Sequence, residues 1–189
     1  ARAAAPVGRA VYVIPGTVGN SGEGRAEHVR QMQALVVDLD DGDISAKRDH
    51  LIRNLGPASL IVESGGVTED GQSKLHLWWK LTEPAEGEDL ARLCRLRAAM
   101  ALKVGGDDSF GSAHQPIRVP GTIHGKYGRT AQVRIVDQQP IEVDLGEFAA
   151  LVAAMPALNP EPSGSAWFDV NDGTKPPVDD VLTTPVREG

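Results

Sequence analysis

The sequence predicts a mixed α/β domain, and three stretches carry that prediction. Leu35-Val36-Val37-Asp38-Leu39-Asp40-Asp41-Gly42-Asp43 is an apolar run that ends in acids and a glycine, the pattern of a strand delivering carboxylates to a sheet edge. Lys74-Leu75-His76-Leu77-Trp78-Trp79-Lys80-Leu81 has the clearest period of two in the chain. Lys74, His76, Trp78 and Lys80 therefore share one face of a strand, while the leucines and Trp79 share the other. From Glu86 to Val104, residues Leu90, Leu93, Leu96, Ala99, Met100 and Val104 recur at helical spacing.

Length and composition bound what these elements can build. At 189 residues with 41% hydrophobic, the chain suits one domain of ordinary size with some extra, and it has enough apolar side chains for a core. Cys94 is the only cysteine, which excludes an internal disulfide and a Cys-rich zinc site and fits a reducing compartment. No apolar run approaches the ~20 residues of a membrane span and no signal peptide opens the chain, so the expectation is a cytoplasmic protein with no membrane partner. The net charge of −7 argues against general coating of nucleic acid, although a local basic path can still work on an acidic molecule.

Taken in order, Ala1 to Arg9 is small and polar and reads as frayed or cut from something longer. Ala10 to Ile14 alternates weakly, as a strand does. Pro15 to Gly24 reads as a flexible loop, because Gly16, Gly19, Gly22 and Gly24 match no phosphate-cradling or dinucleotide pattern. Arg25 to Gln33 reads as a short helix or an extended lead-in to the acidic strand. Beyond the acids, Ser45 is the expected cap of a helix through Leu51, Ile52 and Leu55 that Gly56-Pro57 ends. Leu60 to Glu63, followed by Ser64-Gly65-Gly66 and a polar excursion to Ser73, makes an antiparallel hairpin with residues 74–81. The helix over 86–104 carries Arg92, Arg95, Arg97 and Lys103 on a solvated basic face, with Cys94 among its buried small residues. Gly105-Gly106 closes that helix. Ile117 to Thr122 reads as a strand broken by a Pro-Gly turn, Gln132 to Val136 as another strand, and Asp144 as the cap of a short helix through Phe148, Leu151 and Val152. Residues 1–155 then form the domain, and 156–189, rich in Pro, Gly and Asp, a linker or docking tail in which Trp167-Phe168 is expected to dock back.

The chemistry concentrates in three places. Asp38 and Asp40 fall on one strand face about 6–7 Å apart, where like charges repel unless a cation sits between them. Hard oxygen ligands suit Mg²⁺ or Mn²⁺. An Asp-x-Asp alone is equally the pattern of acids in a turn after a strand. The face bearing Lys74, His76, Trp78 and Lys80 offers two ammonium groups, an imidazole and an indole, which is what the phosphates and base of a nucleotide require. From Ser109 to Val136 there is no acidic residue, while Arg118, Lys126, Arg129 and Arg134 fall inside, a basic path that the net charge conceals.

The order of these parts resembles the archaeo-eukaryotic primase superfamily, and within it the primase-polymerase domains of plasmid and phage replication proteins, the RepB-like group. The resemblance runs over residues 10–155: Asp-Leu-Asp at 38–40, Ser64-Gly65-Gly66 followed by Lys74 to Trp79, Gly-Gly-Asp at 105–107, and Arg-Val-Pro-Gly-Thr at 118–122 with Lys126. It implies an α/β fold of the archaeo-eukaryotic primase type, a mixed, largely antiparallel sheet with an RRM-like part flanked by helices. Composition and periodicity alone support only a mixed α/β class. It further implies a primase/polymerase that joins nucleotides on a single-stranded DNA template in phage or plasmid replication within a bacterial host cell. The implied metal ligands for two Mg²⁺ or Mn²⁺ ions are Asp38, Asp40 and a third acid, Asp107 or Asp108, with Asp107 matching the group's position after Gly-Gly. The resemblance likewise implies that His76 would donate to a phosphate oxygen with Ser64 nearby, that Arg118 and Lys126 would hold triphosphate or template, and that Lys74, Lys80, Arg129 and Arg134 would serve DNA. Template, primer and NTP or dNTP are the implied partners, together with a helicase, as a following domain or a separate protein. One departure stands out: Val67 to Ser73 stretches the interval from Ser64 to His76.

Two other classes fit parts of the pattern. A glycosyltransferase also uses Asp-x-Asp to hold a metal-bound nucleotide diphosphate but needs no acid-free basic path. A non-catalytic single-strand or origin-binding module could keep the basic path while its acids served structure. A nicking relaxase is set aside, since His76-Leu77-Trp78 lacks the second histidine of its pair.

Overall fold

The computed structural model describes residues 10–106, 108–126 and 129–158. The short strands β1 (Tyr12–Val13) and β2 (Gly16–Val18) lead through a 3-10 turn at Ala26–His28 into the long strand β3 (Val29–Leu39) and helix α1 (Ile44–Leu55). A hairpin of β4 (Leu60–Val67) and β5 (Ser73–Glu86) follows, then helix α2 (Gly87–Lys103) and a 3-10 turn at Asp108–Gly111. Strands β6 (Ile117–Arg118), β7 (Ile123–Lys126), β8 (Arg129–Gln132), β9 (Arg134–Gln138) and β10 (Glu142–Val143) precede helix α3 (Leu145–Ala154).

Among the described residues, six strands form one sheet in the order β2-β3-β5-β4-β9, with β10 adding in parallel to β5 beyond the end of β4. The other pairings in that sheet are antiparallel. β1 with β6, and β7 with β8, make two separate two-stranded ribbons.

The alternation of β3 and β5 decides which face is core. Leu35, Val37, Leu39, Leu75, Leu77, Trp79 and Leu81 point to one side, where α1, α2 and α3 cover them with Leu51, Leu55, Leu93, Leu96, Met100, Phe148 and Val152. Each such side chain withdrawn from water contributes about 1.5–3 kcal/mol. Trp79 is fully buried there, its ring tilted against Phe148 at 5.6 Å and its Nε1 donating to Gly56 O at 3.3 Å. Val36 points to the opposite side and packs with Phe110 and Ile117, with Ala34 and Trp78 beside them. None of α1, α2 and α3 contributes to that second cluster, whose cover comes from Phe110 of the 3-10 turn and Ile117 of β6, and it is the face on which His76 lies.

Several expectations are corrected. Helix α1 is capped by Asp43, whose Oδ1 accepts from Ala46 N at 3.0 Å, and Ser45 lies inside the helix. Gly42, at φ 60°, turns the chain so that Asp43 is the last extended residue before the helix. Part of the glycine-rich stretch 15–24 is strand: a Cβ on Gly16 would lie 2.8 Å from Gln31 O, so its bareness is what lets β2 pair closely with β3. Strand β5 runs on past Leu81 to Glu86, through a register shift against Met32–Ala34 that contains Pro84, a residue with no N–H for a regular ladder. Arg97 is not on a solvated stripe but fully buried. It stands four residues after Leu93 and three before Met100, on the apolar stripe itself. Cys94 is only half-buried. The α2 boundaries, the hairpin and the Asp144 cap, which accepts from Glu147 N at 2.9 Å, agree with expectation. Residues 159–189, with Trp167 and Phe168, lie outside the described residues.

Candidate active site

The acidic strand and the alternating strand lie side by side, and their register builds the site. Asp38 is paired with His76, and Val62 of β4 is paired with His76 on its other side. Asp38 Oδ1 lies 3.4 Å from His76 Nε2. The Asp38 side chain keeps 19% of its exposure, whereas His76 is buried. Burial pushes the imidazole pKa down to about 4, and the nearby Arg118 charge adds to the lowering. His76 is therefore neutral at pH 7 and carries a single N–H. Its ring is tilted against Phe110, with centroids 6.3 Å apart.

Asp40 follows directly on the end of β3 and is the more open carboxylate, 45% exposed, with Lys74 Nζ 4.0 Å away. Behind this rim, Lys47 ties α1 to the end of α2, its Nζ donating to Asp41 Oδ1 at 2.8 Å and to Gly105 O at 2.6 Å. Gly106 then passes close to β3, a Cβ built on it lying 3.4 Å from Asp38 O. The residue bonded to Gly106 is Asp107, which itself lies outside the described residues, and Asp108 opens the 3-10 turn that carries Phe110.

Arg118 reaches the site from the β1–β6 ribbon, where it is in register with Tyr12 and stacks on the tyrosine ring at 5.0 Å. Its Nη1 is buried with no hydrogen-bond partner among the described residues, as are His76 Nδ1 and Trp78 Nε1. Such orphaned nitrogens cost stability unless a ligand satisfies them.

Ser64 is buried two residues along β4 from Val62, the strand partner of His76. There the strand gives way to glycine, and the β7–β8 ribbon sits against it. His124 Nδ1 lies 3.2 Å from Ser64 O, and a Cβ on Gly65, at φ 81°, would stand only 2.7 Å from His124 Cβ. Gly66 in turn leaves room for Lys74. Lys126 and Arg129 are paired in register at the end of this ribbon.

The structure thus brings Asp38, His76 and Arg118 together, with Asp40 and Lys74 at the rim and Ser64 one strand away. Lys80 stands midway along β5, four residues past His76, and is engaged by Glu142, and Arg134 on β9 is engaged by Glu63. Sequence reading did not single out Tyr12, Phe110 or His124 for these positions. Their contacts join residues 34 to 106 positions apart, and no local pattern announces such pairs.

Asp38 and Asp40, at one strand end, are hard oxygen donors of the kind a divalent cation takes. Among the described residues they are not joined by a third His, Cys, Asp or Glu in a metal-binding cluster.

No protein-family model and no curated protein sequence matches the chain. Among solved structures it is similar to the AEP domain of the cyanophage S-2L primase-polymerase, with 19% identity, TM-score 0.63, and coverage of 80% of this chain and 74% of that one. A weaker similarity is to the primase RepB′, at 18% identity and TM-score 0.46 over 65% of this chain and 39% of that one. Helices on one face, a largely antiparallel sheet, and the acidic strand paired with the histidine strand together give this chain the fold of that AEP domain.

Proposed function

We propose that this domain is a nucleotidyltransferase that begins and extends a primer on a single-stranded DNA template in phage or plasmid replication. The observation that carries the reading is the Asp38–His76 pair, in register on the sheet face opposite the three helices, near Arg118 with its Nη1 unpartnered among the described residues, in a fold shared with a primase-polymerase domain. Asp38 and Asp40, with Asp107 as the third acid, are the residues that would hold Mg²⁺ or Mn²⁺. That cation pair would supply charge neutralisation at the phosphates and a more acidic primer 3′-hydroxyl.

The chain's own groups do the rest. Arg118 offers its unpartnered Nη1 to a phosphate oxygen, with the charge-assisted strength of a guanidinium–phosphate contact. His76 gives its single proton either to Asp38 or, from Nδ1, to a phosphate oxygen, and the tautomer decides which. Lys74 balances the Asp40 rim, and Lys126 on β7 serves the triphosphate or template. Catalysis is then mostly positioning and charge stabilisation. The template single strand runs along the acid-free segment 109–136 and is held through its backbone without sequence readout.

A primer-extension and primer-synthesis assay with labelled nucleotides and Mg²⁺ or Mn²⁺ tests the reading. Incorporation by the wild-type chain, abolished or shifted to higher KM in His76→Ala while single-strand affinity stays near wild type, is the expected result. Single-strand binding with no incorporation under any divalent cation would reassign the domain as a binding module.

A further inference from the structure

Arg118 is held in a way that its own ribbon does not explain. β6 is two residues long, and its pairing with β1 consists of Tyr12 opposite Arg118 and Val13 opposite Ile117. Ile117 is buried against Val36 and Phe110 and anchors the ribbon to the sheet. Tyr12 belongs to neither hydrophobic cluster and remains 49% exposed. Its one specific side-chain contact among the described residues is the Arg118 guanidinium, 5.0 Å from the ring centroid. That guanidinium makes no ion pair with a carboxylate among the described residues, and its Nη1 is buried without a partner while its charge is felt at His76. A cation that has no carboxylate partner among the described residues but is fixed against a ring is prepared for an anion.

We infer that Tyr12 is a positioning residue for the nucleotide: its ring fixes the Arg118 guanidinium against rotation, so that the phosphate-binding nitrogen stands ready beside His76 and the acidic strand. The inference rests on the proposed nucleotide site. It adds that the N-terminal strand, outside the main sheet and remote in sequence from every acid of that site, is part of it. Arginine has many rotamers, and freezing one before the ligand arrives removes an ordering cost from binding. The aromatic ring supplies this better than an ion pair. A carboxylate would neutralise the charge that the phosphate needs, whereas a π face leaves it available.

The test compares wild type with Tyr12→Phe, Tyr12→Leu, Tyr12→Ala and Arg118→Ala, using titration calorimetry with dATP and Mg²⁺ together with primer-extension kinetics and thermal melting. Tyr12→Phe keeps the stacking face and is expected to bind dATP within about twofold of wild type. Tyr12→Leu keeps apolar cover without a π face, and with Tyr12→Ala it is expected to lose affinity on the order of tenfold, the scale of a cation–π contact. The loss should appear in KM, with kcat at saturating nucleotide little changed, and melting temperatures should stay close to wild type in all four variants. A merely structural tyrosine would lower the melting temperature and leave KM alone, which overturns the inference. If Arg118→Ala loses affinity while Tyr12→Leu and Tyr12→Ala do not, the inference fails and the nucleotide site stands. If Arg118→Ala also binds dATP like wild type, the nucleotide site itself is wrong.

Discussion

At the level of single residues, two buried polar side chains govern the behaviour of the site. His76 is neutral in the folded protein, with a pKa near 4, and takes up a proton near its ordinary 6.5 when unfolded. Between those values the unfolded chain binds more protons, so the folded state loses stability as pH falls from about 6.5 toward about 4, by up to about 3 kcal/mol. Thermal or urea unfolding across that range should show the loss in wild type and a flatter profile in His76→Gln; parallel profiles would mean that the imidazole is not held neutral. Arg97 is the second case. Its guanidinium lies over Phe110 at 5.5 Å and reaches only Met32 Sδ, at 3.7 Å, while Nε and Nη2 have no partner among the described residues. Burial pulls its pKa to about 10, so it stays charged at pH 7. Arg97→Met fills the space without a buried charge and should leave stability unchanged or raise it by roughly 1–2 kcal/mol. A loss above about 2 kcal/mol would show that the stacked charge is a stabilising contact. The i, i+3, i+4, i+7 spacing of Leu93, Leu96, Arg97 and Met100 already placed this arginine inward in the sequence, where its charge suggested the opposite.

Elements were legible where a single periodicity ruled them. The β5 alternation and the α2 spacing are each set by one buried face; α2 survives into the structure nearly to the residue, and β5 keeps its alternation over 74–81 but runs on to Glu86. The acidic strand was legible for the same reason. Strand β2 was not, because its glycine is there for the closeness of β3, which only the fold reveals. The glycine pair after Ser64 is the same kind of case. Gly65 combines a positive φ with the 2.7 Å approach of His124, while Gly71, at the same φ of 81°, has open space where a Cβ would go. Gly71→Ala should therefore cost about 1–2 kcal/mol of backbone strain. Gly65→Ala should cost clearly more and displace the β7–β8 ribbon from Ser64. Chemical denaturation of the two variants measures the difference, and equal losses would mean that the ribbon is not seated on this strand.

On the scale of the molecule, the class of fold was readable from periodicity, but the strand order was not. A sheet that runs β2-β3-β5-β4-β9 and then adds β10 depends on pairings between distant segments, for which one sequence holds no signal. The candidate site shares that character: its two acids were visible locally, while the nearness of Arg118 to His76, of Tyr12 to Arg118 and of His124 to Ser64 comes from two ribbons folded against the sheet. The acidic strand end is therefore where a single substitution is most informative. Asp40→Asn removes one negative charge at constant size, and because Asp40 is well exposed and its pairing with Lys74 long, the fold should survive within about 1 kcal/mol. The decisive measurement is primer extension by Asp40→Asn under saturating Mg²⁺ or Mn²⁺, with melting in Mn²⁺ alongside. A catalytic acid at this position predicts incorporation close to background, single-stranded DNA binding retained, and loss of the Mn²⁺-dependent rise in melting temperature that a native-state ligand produces. Extension at the wild-type rate would contradict the assignment of this strand as the catalytic centre.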